Sequence, residues 1–69
     1  MSEKMEIPAM IKELRKRANM TQSELDEKAN LPNGTIGRAE RGVIDIKSTY
    51  LLRIIWATGH EFVVRRAVK

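Results

Sequence analysis

The sequence contains no cysteine and only one histidine, His60. The missing thiols exclude a disulfide framework and every thiolate metal site, and a single imidazole builds no zinc or iron centre alone. With so little histidine no nucleophile has a base to activate it, and no glycine-rich loop of the phosphate-cradling kind is present. The acidic cluster Glu24, Asp26 and Glu27 sits with Lys28, the usual pattern of a solvated helix surface. The expectation is therefore a protein without catalytic residues, metal or cofactor. Long hydrophobic runs are missing as well, the longest being Ile54-Ile55-Trp56-Ala57, and the start MSEKMEIPAM is too polar for a secretory segment. Neither a signal peptide nor a membrane span is expected, which makes a cytoplasmic location the default. Internal repeats and low-complexity stretches are absent too.

What is present fits one small domain. The chain has 69 residues and a mass of 7.9 kDa. Domains of that size bury only ~60% of the surface their unfolded chains expose, so stability is marginal. With disulfides and metals excluded, a partner chain is the remaining source of extra stability. Thirteen Lys and Arg against nine Asp and Glu give a net charge of +4 and a pI near 9.9. That balance is the electrostatic footprint of a nucleic-acid binder, although many basic domains bind nothing. The hydrophobic share of 42% with 32% charged residues is that of a folded chain.

Four helices follow from the apolar spacing. Residues 1–6 are polar and read as a frayed end. Ile7, Ile11, Leu14 and Ala18 then fall at i, i+4, i+7 and i+11, with Pro8 suited to a first turn, which predicts a helix over about 8–18. Thr21-Gln22-Ser23-Glu24 has capping-box spacing and opens a second helix over about 22–29, with Leu25 and Ala29 inward and Asn30 as a left-handed stop. A third helix, about 33–41, begins at Pro32 or is capped by Asn33, and Gly42 closes it. Its internal glycines, Gly34 and Gly37, each cost ~1 kcal/mol relative to alanine, so something other than helix propensity selects them. Ser48 is the expected cap of a fourth helix carrying Leu51, Leu52, Ile54, Ile55 and Trp56 and ending at Gly59. Trp56 reads as core or interface. Residues 61–68 are rich in β-formers and read as one strand.

Helices two and three, joined by a three- or four-residue turn, have the spacing of a helix-turn-helix. A protruding second helix with small or polar outward residues fits a DNA major groove, ~12 Å wide. Arg38 is the long donor in its middle, able to pair bidentately with guanine. Glycines at 34 and 37 would let the backbone approach the groove closely.

Leu14-Arg15, Thr21-Gln22-x-Glu24-Leu25, Ile36, Glu40-Arg41-Gly42 and the Gly59 stop together resemble the lambda-repressor-like (Cro/cI, XRE) helix-turn-helix family. The likeness spans about residues 7–60. It implies an all-α, compact four-helix DNA-binding domain, here with a short C-terminal β-strand. It also implies that Gln22 contacts a phosphate and braces the residue at 33. By the same resemblance Asn33, Gly34 and Arg38 face base edges, with Thr35 and Gly37 on the same surface, and Arg41 and Lys47 lie near the sugar-phosphate backbone. Arg15 and Glu40 would form an internal ion pair, over a core of Leu14, Leu25, Ile36, Leu52 and Ile55. Three residues depart from the family pattern. Asp26 replaces a small alanine packed between helices and must be exposed or paired, because an unpaired buried carboxylate is costly. Asn30 replaces the turn glycine, and Pro32 the usual hydroxyl cap.

Residues 60–69 form the expected dimerisation element. A lone strand leaves its N–H and C=O groups unpaired, which pairing with the same strand of a second copy would satisfy. Phe62, Val63 and Val64 would lie at that contact, and such a tail resembles the HipB-like antitoxin branch of the family. Pairing with Lys4–Ile7 of its own chain is the alternative. The expected function is a sequence-specific double-stranded DNA-binding transcriptional regulator, a homodimeric repressor on an inverted-repeat operator. The rival is a module docking on a protein, such as an antitoxin on its toxin.

Overall fold

Four helices pack in chain order in the computed structural model, which describes residues 6–61. The first, α1, runs Ile7–Arg17, with Pro8 in its first turn and no side-chain cap. Ala18 closes it and Asn19 leaves it at φ 59, the left-handed conformation that asparagine tolerates. Helix α2, Gln22–Lys28, starts as its sequence predicts. Thr21 Oγ1 accepts from the Glu24 amide at 3.1 Å, and the Thr21 amide donates to Glu24 Oε1 at 2.7 Å. Asn30 ends the segment at φ 58, in the left-handed role expected of it.

The third helix corrects the expectation. It does not begin at 32 or 33: α3 spans only Thr35–Glu40, and Gly34 stands before it at φ 89. The connection from α2 is therefore longer than a three- or four-residue turn. Its reason is Leu31, which is buried in the core, its amide held by the Asp26 carbonyl at 2.8 Å. After α3, Gly42 turns at φ 73.

Helix α4, Ser48–Ala57, is preceded by Lys47 in extended conformation and has no side-chain cap, so Ser48 is its first residue rather than its cap. The buried Thr58 hydroxyl stands 2.9 and 3.0 Å from the Ile54 and Ile55 carbonyls, and Gly59 completes the stop at φ 83.

Ile11, Leu25, Ile36 and Ile54 are the fully buried side chains at the centre of the core. They bring one residue from each helix to one point, as apolar burial requires of elements too short to be stable alone. Leu14 packs against this centre half-buried, whereas Leu52, expected in the core, is only half-buried and Ile54 occupies the central place. Ile7, expected inward, is 44% exposed at the tip of α1, and Trp56, at 61% exposed, lies outside the core. Among the described residues there is no strand. The expected strand, with Phe62, Val63 and Val64, lies outside them. No described helix is long and apolar enough to cross a membrane.

Candidate nucleic-acid interface

Helix α3 is six residues long and contains a glycine, so its placement depends on what holds it. Asp26 supplies the first hold. The residue is 4% exposed, and its carboxylate accepts the Gly34 amide at 2.8 Å and the Ile36 amide at 2.9 Å. Those are backbone donors at the start of α3, which the helix itself cannot satisfy. The departure from the family's small residue is thus a paired acid that caps a neighbouring helix, neither exposed nor uncompensated.

Arg15 and Glu40 supply the second hold. Arg15 Nε meets Glu40 Oε2 at 2.7 Å and Arg15 Nη2 meets Oε1 at 3.1 Å, a two-pronged pair joining α1 to the end of α3. The remaining arm, Nη1, donates to the Met20 carbonyl at 2.9 Å and so fixes the α1–α2 turn as well. Burial pushes the Glu40 carboxyl up. The hydrogen bonds from Arg15 and Gln22, with the charges of Arg15 and Lys12, outweigh that effect and hold it below the ordinary carboxylate range. The hydrogen bond to Glu40 raises the Arg15 guanidinium further, against the lowering effect of its own burial.

Gln22 joins this network. Its amide nitrogen donates to Glu40 Oε1 at 3.0 Å, so its brace is Glu40 rather than position 33. Arg38 is exposed and folds back towards the start of α3, with Nη1 2.8 Å from where a side chain at Gly34 would place its first carbon. Helical side chains lean towards the N-terminus, which carries the guanidinium to that end. Asn33 is exposed beside Ser23 and Glu27, and Lys47 is exposed with its ammonium 5.7 Å from the Tyr50 ring centre.

Two of the expected contact residues are covered by other groups. Thr35 is buried and its hydroxyl donates to the Pro32 carbonyl at 2.7 Å, shaping the turn. Gly37 is buried beneath the side chains of Gln22 and Arg41. The reason for the two glycines is accordingly internal: a left-handed φ at 34, and side chains lying across 37. The structure brings Arg15, Glu40, Gln22, Gly37 and Arg41 into one cluster and Arg38 onto Gly34, while Asn33 and Lys47 stand apart from that cluster.

A helix-turn-helix family model matches residues 11–58, from the first core residue of α1 to the end of α4. The chain belongs to the helix-turn-helix family. The type is the XRE, lambda-repressor-like one, a family of DNA-binding regulatory domains. No curated protein and no solved structure matched the chain. For a helix-turn-helix protein, α2 and α3 are the paired helices and α3 is the recognition helix. Asp26 is the positioning residue that the sequence reading did not assign. Its only signal was an acid where the family carries a small residue.

Proposed function

We propose that this helix-turn-helix protein is a sequence-specific transcriptional repressor that occupies an inverted-repeat operator as a homodimer. The observation that carries the proposal is the arrangement of donors around α3. The Arg38 guanidinium lies over the start of the helix, and Gln22 and Arg41 converge on Gly37. In this reading Arg38 and Asn33 read base edges, and the Gln22 amide, Arg41 and Lys47 hold phosphates. Thr35 shapes the turn from inside, and Gly37 lies beneath Gln22 and Arg41. The second copy would join through residues 60–69, with Phe62, Val63 and Val64 at the contact, and two recognition helices would enter major grooves ~34 Å apart.

Substitutions separate the two kinds of contact. Arg38→Ala is expected to relax preference at one base position per half-site, at a cost of about 1–3 kcal/mol on the preferred duplex. Gln22→Ala is expected to weaken all duplexes alike. Titration of both variants on matched and substituted duplexes measures this, and unchanged base preference in the arginine variant removes Arg38 from the readout.

One observation favours a second reading, docking on a protein such as a toxin. Trp56 is exposed on α4, away from the recognition helix, with Lys28 and Arg53 beside it. Salt separates the two readings, because each phosphate held contributes about −0.9 to the slope of log affinity against log salt. A protein-docking module would bind DNA weakly and without base preference.

A further inference from the structure

We infer that Gly37 is a positioning residue for DNA binding: its missing side chain leaves the seat in which the Gln22 amide lies. A first side-chain carbon at 37 would stand 3.1 Å from Gln22 Oε1, 3.7 Å from its Cδ and 3.5 Å from Arg41 Nη1. The first of these is tighter than ordinary van der Waals contact, and Gly37 is buried where the two side chains cross it. The amide cannot simply turn over to make room. A carboxylate only accepts, so the Gln22 nitrogen must face Glu40, to which it donates at 3.0 Å, and its oxygen must face Gly37. Glu40 is itself fixed by two prongs of Arg15. One amide hydrogen is thus committed to Glu40, and the second is aimed by that bond and by the floor that glycine leaves. Arg41 Nη1, at 3.5 Å, would meet that carbon in ordinary contact and need not move, so the seat belongs to Gln22.

Gly37 has no left-handed φ to require glycine, unlike Gly34. Alanine is the better helix former at such a position. A glycine kept there against helix propensity is accounted for by the seat. The inference rests on the phosphate role proposed for Gln22, and its test has one arm that needs no DNA.

Gly37→Ala is expected to melt at the wild-type temperature or above it, while the side-chain amide resonances of Gln22 shift in a nitrogen–proton correlation spectrum. Affinity is expected to fall about tenfold on every duplex alike, the loss of one hydrogen bond to a charged group. In a Gln22→Ala background the same glycine substitution is expected to cost less than threefold, about the limit of additivity between uncoupled sites. Unmoved Gln22 resonances overturn the seat. So does an affinity loss or a drop in melting temperature that persists undiminished in the Gln22→Ala background, because the methyl group then acts elsewhere. Wild-type protein that shows no salt-dependent DNA affinity overturns the DNA reading itself, and the resonance shift still decides the seat.

Discussion

Replacing Asp26 with alanine is expected to remove about 3 kcal/mol of stability, the largest effect of any single substitution outside the apolar core. The part-buried amide of Gly34 and the buried amide of Ile36 lose their acceptor together. A buried donor left unsatisfied costs about 1–3 kcal/mol. The loss is large for a chain of 69 residues, since folded domains hold only about 0.05–0.15 kcal/mol per residue. Urea denaturation followed by helical circular dichroism reads it as a lower midpoint with an unchanged slope. Asp26→Asn is expected to fall in between, because its one oxygen still accepts while its NH2 faces a donor. A midpoint for the alanine variant within about 0.5 kcal/mol of wild type is the range of an ordinary surface substitution, and it would show that water replaces the carboxylate at no cost.

Glu40→Gln is expected to cost about 2 kcal/mol and to flatten the acid limb of the stability profile. The side chains of Arg15 and Glu40 are 13% and 5% exposed, so removing the negative charge leaves a largely buried guanidinium without its counter-ion. The sign of the pH effect follows from Glu40 lying below the ordinary carboxylate range. The folded state binds that proton more weakly than the unfolded chain does. Its contribution is therefore complete above the unfolded value, about 4.3, and is lost as pH falls through the lower folded value. Wild-type stability should decline over that acid window, and the glutamine variant should decline less. Identical acid limbs in the two proteins would mean that the pair contributes nothing to folding. The same variant weakens the hold on Gln22, so its DNA affinity should fall along with its stability.

The parts legible in the sequence are those whose cause is local. Thr21 and Glu24 satisfy each other's backbone across three residues, and the left-handed stops at Asn30, Gly42 and Gly59 need only a residue that tolerates positive φ. Parts that depend on distant backbone were not legible. Asp26 serves amides eight and ten residues further on, and nothing in a pattern of side chains marks a carboxylate whose partners are N–H groups. The late start of α3 has the same origin, because Gly34 takes its place only once Asp26 holds it and Leu31 is anchored in the core. In α4 the run of apolar residues does not mark which lies deepest, and Leu52, which the family resemblance implied for the core, is half-buried while Ile54 is fully buried. Among the site residues, Arg15 and Glu40 are 25 positions apart and entered through the family resemblance, not through spacing. The roles of Thr35 and Gly37 depend on which way a six-residue helix is turned, which its short apolar pattern leaves undetermined.

The central claim is that the exposed side of α3 reads DNA sequence as half of a two-fold assembly. Selection of random duplexes by the purified protein at near-physiological salt, followed by sequencing, tests it most directly. The account predicts enrichment of an inverted repeat whose half-sites lie one helical turn apart, ~10 base pairs centre to centre. A pool that emerges unenriched would contradict it and leave the exposed Trp56 side of the molecule as the surface to pursue.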